Sequence, residues 1–67
     1  MDYEIRVDGV LDGGWSAWFD GLQVTSDEHG QSIITGPVAD QAALHGLLAK
    51  VRDLGLELLE VRRTDPH

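Results

Sequence analysis

The sequence predicts an α+β domain: a four-stranded antiparallel sheet covered on one face by one long helix. Two observations carry this. Residues 40–54 read as a capped amphipathic helix that stops at a glycine and drops directly into an apolar run, Leu56–Val61. Before it, short segments alternate apolar and polar residues between clusters of Gly, Asp and Ser, the mark of strands joined by turns.

Tyr3, Ile5 and Val7 alternate with Glu4, Arg6 and Asp8, which predicts a first strand with one wet face. It is expected to continue through Gly9-Val10-Leu11, with Gly9 a bulge or a point of close approach, and to break at Asp12-Gly13-Gly14. Trp15, Trp18 and Phe19 stand at i, i+3 and i+4, so they share one face of a single helical turn. Asp20-Gly21 turns the chain into a second strand, Leu22–Thr25. Ser26–Gln31 supplies turn residues, with Gly30 in the left-handed position, and Ser32–Thr35 is the third strand, ended by Gly36-Pro37. The last strand runs from Leu56 to Arg63, and Thr64–His67 is a frayed tail.

The helix ends follow from local chemistry. Asp40 is an N-cap, its carboxylate accepting a free backbone N–H and complementing the positive end of the helix dipole. Leu44, Leu47, Leu48, Val51 and Leu54 recur at three- and four-residue steps and form one apolar stripe. Gly55 falls where the residue after a helix takes positive φ, and Leu56 can fold back onto Val51. The first strand and one of Ile33 or Ile34 are the expected floor beneath Leu44, Leu48 and Val51.

Strand, short helix, strand, strand, helix, strand is the ferredoxin-like βαββαβ order, with a much shortened first helix. The crossover rule then suggests the first and last strands as the central pair. The last strand fits such a place, with Leu56 and Leu58 on one side and Leu59 and Val61 on the other, so the second sheet face is expected to be partly covered.

Sixty-seven residues make a single domain, 1–67, that buries only about 60% of its unfolded surface. Domains of this size often gain further stability from disulfides, metals or oligomerisation. With no cysteine there is no disulfide and no thiolate metal site, which leaves a second copy of the chain as the simplest supplement. The acidic Met-Asp-Tyr-Glu start does not read as a signal peptide, and no apolar run approaches the ~20 residues that span a bilayer, so a soluble cytoplasmic protein is expected.

The net charge of −7 is uneven: residues 1–45 hold eight carboxylates and one arginine, and residues 46–67 hold four charges of each sign. Such a field repels nucleic acid and anionic membranes. It leaves open a protein partner with a basic surface, or charge that serves only solubility.

The back of the helix carries Ala42, Gly46, Ala49 and Asp53 where solvated faces usually carry longer polar residues, with His45 alongside. A mid-helix glycine costs about 1 kcal/mol relative to alanine, and small residues let another backbone approach closely. The alternative is that alanine simply favours helix. Trp18 and Phe19 are expected inside, and Trp15 at an edge. Trp15, Ala42, His45, Gly46, Ala49 and Leu59 are therefore the candidate interaction residues.

Catalytic chemistry finds little support. No spacing pairs His29, His45 or His67 with a nucleophile or a metal, and H-E-x-x-H is absent. Asp27-Glu28-His29 lacks the alternating oxygen ligands of a calcium loop. Gly13-Gly14 has no phosphate-loop context, and none of Ser16, Ser26 and Ser32 sits in a nucleophile elbow. No enzyme activity, cofactor or metal is expected.

The stretches Trp15–Leu22, Thr35–Val38, Asp40–Leu48 and Val51–Leu56 resemble a group of short, uncharacterised bacterial proteins, the Asp-Gln-Ala-Ala-Leu-His-Gly segment most specifically. The resemblance covers nearly the whole chain, implies a free-standing bacterial cytoplasmic domain and brings no activity with it. The element order and the Leu54-Gly55-Leu56 junction are also similar to ligand-sensing ACT domains, at the level of fold. The expectation is a non-catalytic homodimer that acts as an interaction or regulatory module. The alternative is an ACT-like sensor binding a metabolite between two chains.

Overall fold

Alternation at the N-terminus becomes a strand whose odd residues all go under the helix. In the computed structural model, which describes residues 1–65, β1 (Asp2–Asp8) buries Tyr3, Ile5 and Val7 and turns Glu4 and Arg6 to the opposite face. β2 (Gln23–Ser26) and β3 (Gln31–Pro37) form a hairpin, α1 (Gln41–Asp53) crosses over, and β4 (Glu57–Arg63) completes an antiparallel sheet of order β2-β3-β1-β4. Among the described residues the chain is thus α+β, with one α-helix and one four-stranded antiparallel sheet.

The central strands are β1 and β3, which corrects the expectation that the last strand lies inside the sheet. Both β3 and β4 run antiparallel to β1, so the connection through α1 passes over β1 and delivers β4 to its far side, the edge. The assignment of apolar residues to two faces of β4 is corrected as well. Between Arg6 and Val7 the register slips by one residue: Val61 stands opposite Ile5 and Arg62 opposite Glu4, whereas Leu58 stands opposite Val7. Leu59 is the extra residue of a bulge, and it shifts the phase so that Leu58 and Val61 share the helix-covered face. At a strict period of two, without the bulge, Leu58 and Val61 would fall on opposite faces.

α1 begins and ends as its caps dictate. The Asp40 carboxylate accepts the Ala43 N–H at 2.8 Å. At the other end Leu56 N–H donates to the Val51 carbonyl and Gly55 N–H to that of Arg52, the paired bonds of a Schellman turn, with Gly55 at φ +75°. Nothing crowds a Cβ at Gly55, so its conformation alone sets the cost of a substitution. Gly55→Ala is expected to destabilise by about 1 kcal/mol, which thermal unfolding would register as a lower Tm; an unchanged or raised Tm would mean the helix end does not need that φ.

The buried core joins Ile5, Val7 and Tyr3 of β1, Ile34 of β3, Val24 of β2, and Leu44, Leu47 and Val51 of α1, closed by Leu11, Phe19, Leu22 and Val38 from the connections. Of the helix stripe, Leu47 is buried, while Leu48 is only half-buried at the margin. Ile34, not Ile33, faces the helix.

The connection from Asp8 to Gln23 departs most from expectation. The first strand stops at Asp8. Gly9 leaves it at φ +133°, donates to the Gly30 carbonyl, and approaches Leu56 so closely that a Cβ would lie 2.9 Å from its Cδ2. The helical turn is a 3₁₀ segment over Gly13–Ser16, capped by Asp12 through Gly14 N–H. Trp18 lies beyond the 3₁₀ segment, in the turn residues that follow it. Phe19 is fully buried as expected and Trp15 packs half-buried at the margin of the core, but Trp18 is 44% exposed, which corrects the expectation that it lies inside. Trp18 lies against Lys50, whose ammonium sits 5.7 Å from the ring centre and donates to the Trp18 carbonyl and to Asp20.

The start of the tail is held. Thr64 N–H donates to the Asp2 carbonyl, and the Asp65 carboxylate accepts from Asp2 N–H and the Arg63 guanidinium. That guanidinium is the chief reason the Asp65 carboxyl falls to about 2. Pro66 and His67 lie outside the described residues.

Candidate functional site

Three surfaces compete for a role. The first is the outer side of α1. Because Leu44, Leu47 and Val51 go into the core, Ala42, His45 and Gly46 are left at solvent, with Ala49 half-buried among them. A Cβ at Gly46 would meet nothing within 4 Å, so no contact within the chain requires the glycine.

The second is the sheet face opposite the helix. It is polar rather than apolar. Arg62 donates to Glu4 at 3.1 Å, Arg6 lies 3.8 Å from the same carboxylate, and Arg6 reaches Asp27 at 3.4 Å, so charges of alternating sign run from β4 over β1 to the β2–β3 turn. Asp27 also closes the β2–β3 turn by accepting from the backbone N–H groups of His29 and Gln31. The Gln31 bond is the largest cause of its lowered pKa. Asp27 therefore serves the turn, and His29 lies exposed, 3.9 Å from Glu28.

The third surface is β4. All seven of its residues are exposed, and Leu58, Leu59 and Val61 are 44, 39 and 37% accessible. The sequence singled out Leu59 as part of an apolar second face; the structure places it at the bulge of an edge strand. Trp15, by contrast, belongs to the packing around the core. The structure brings Ala42, His45, Gly46 and Ala49 together along one helix and sets Leu59 on a different element.

One important residue went unmarked in the sequence. Ser32 is completely buried: its hydroxyl accepts from Leu11 N–H at 2.7 Å and donates to the Gly9 carbonyl at 2.6 Å, tying the loop after β1 to β3. Its position two residues before Ile34 on an alternating strand was the available signal. Ser32→Ala would leave a buried donor and acceptor unpaired and is expected to cost about 1–3 kcal/mol in urea unfolding. A change below 0.5 kcal/mol, on the same order-of-magnitude scale, would show that water replaces the hydroxyl.

Among the described residues no group of three or more His, Asp or Glu side chains is placed to hold a metal, and no helix is long and apolar enough to cross a membrane. No curated protein and no solved structure matches the chain. The chain belongs to the family described as a domain of unknown function, DUF8691, which matches residues 2–62.

Proposed function

We propose that the chain is a non-catalytic, homo-oligomeric interaction or regulatory module with a ferredoxin-like fold whose first helix is reduced to one 3₁₀ turn. The order β2-β3-β1-β4, with α1 carrying the chain from β3 past β1 to β4, supports that description of the fold. The observation that carries the association is the exposed apolar group Leu58, Leu59 and Val61 on one edge strand of so small a domain.

The charged groups support a non-catalytic role in a positive way, since many have structural work. Asp12 and Asp40 cap helices, Asp27 closes a turn, Glu4 joins Arg6 to Arg62, and Asp65 holds Arg63. Exposed Asp2, Asp8, Asp12 and Asp20 leave the N-terminal half acidic and suited to a partner with a basic surface.

Light scattering at micromolar concentration is expected to give twice the chain mass. A monomer at every concentration up to the millimolar range would overturn the association. Gly46→Glu should lower the mass only if the helix back is the contact. The ACT-type alternative rests on the same element order and makes a separate demand: a small metabolite must raise the Tm of the dimer.

A further inference from the structure

The exposed edge of β4 is complementary to itself. We propose that β4 pairs antiparallel with β4 of a second copy across a two-fold axis, with Leu58 opposite the partner's Val61 and Glu57 opposite the partner's Arg62. Two four-stranded sheets then become one of eight strands. This inference deepens the homo-oligomeric reading and rests on it.

Charge is the first argument. Two copies of a chain of net charge −7 repel over most of their surface. β4 differs: its acids, Glu57 and Glu60, precede its bases, Arg62 and Arg63. Antiparallel self-pairing lays the acidic part of one strand along the basic part of the other. Within the chain, the residue opposite Glu57 is Asp8, another carboxylate, an unfavourable neighbour that the partner's Arg62 would offset.

Register is the second argument. Residues opposite one another in an antiparallel pair point to the same face. In a regular strand residues 58 and 61 point to opposite faces and cannot be partners. The bulge at Leu59 removes that obstacle, because it puts Leu58 with Val7 and Val61 with Ile5 on the helix side, and Glu57 with Asp8 and Arg62 with Glu4 on the other. With Leu58 opposite the partner's Val61, apolar meets apolar on one face and Glu57 meets Arg62 on the other. Sliding by one residue either way sets a helix-side residue against an open-face residue.

Bulges and charges on an edge strand ordinarily discourage pairing. Here the charges attract under the two-fold, and the two bulges face each other at its centre, so the ladder is interrupted in one place. Leu58 and Val61, exposed at the margin of α1, gain apolar cover from their counterparts.

Two measurements test this. The chain contains no cysteine, so introduced thiols report cleanly. An equimolar mixture of Leu58→Cys and Val61→Cys chains should give a disulfide-linked heterodimer on mild oxidation, well above the yield of either chain alone. Second, Glu57→Arg and Arg62→Glu should each raise the dimer dissociation constant about tenfold, replacing two ion pairs by two repulsions. Mixing the two variants should restore a dimer with both pairs intact, an outcome that a folding defect could not produce. Dominant cross-linking of Val61→Cys with itself would overturn the register. Dimerisation unaffected by Glu57→Arg, with no mixed disulfide, would overturn the β4 interface while leaving association in place. A monomeric wild-type chain would overturn both.

Discussion

Phe19→Ala is expected to lower the stability of the domain by about 3–5 kcal/mol, much of what a chain of this size possesses. Phe19 is the largest of the completely buried side chains, yet it belongs to no regular helix or strand. It sits in the long connection between β1 and β2, where its N–H is shared between the carbonyls of Trp15 and Ser16 and its carbonyl accepts from Leu22 N–H. The ring therefore anchors both the 3₁₀ turn and the entry into β2. Removing it opens a cavity under a segment with little regular hydrogen bonding to hold it closed, so loss of packing and loosening of the loop should coincide. Urea unfolding at constant pH measures the change. A loss below about 1 kcal/mol would mean that the connection contributes little to the core and that Trp15 or Leu22 can fill the space.

How legible these features were depends on how far apart their causes lie along the chain. The caps of α1 arise from groups within five residues of one another, and Asp40 and Gly55 could be read directly. The alternation of β1 was equally local. The place of β4 depends on which strands pair across thirty or more residues, and the apolar character of Leu56–Val61 resembles that of a central strand. A single bulge was enough to make one exposed apolar face read as two. The exposure of Trp18 has a similar origin, since it depends on where the 3₁₀ turn stops and on Lys50, thirty-two residues from Trp18, reaching its carbonyl. Among the candidate interaction residues, Ala42, His45 and Gly46 were legible as an outer helix face because helical periodicity is strictly local. Leu59 was picked out for its hydrophobicity, but its position at an edge bulge came only from the ladder with β1.

Leu47→Ala is expected to cost about 2–5 kcal/mol and Leu48→Ala distinctly less, although the two residues are adjacent and identical in kind. Both lie on the apolar stripe, and the sequence predicts Leu48, with Leu44 and Val51, over β1. The helix is instead rotated so that Leu44, Leu47 and Val51, separated by three and four residues, point at the sheet. Leu47 is 2% exposed and fully surrounded, whereas Leu48 packs on the core from its rim and keeps contact with water. Truncating Leu47 leaves a cavity between α1 and the sheet that only movement of the whole helix could close. Truncating Leu48 removes apolar contact at a margin where solvent and neighbouring side chains can readjust, so the cavity term largely disappears. The two single variants, compared by urea unfolding under identical conditions, thus measure the rotation of α1 about its axis. Equal losses would place the helix between the two residues, and a greater loss at Leu48 would reverse the assignment of the buried face.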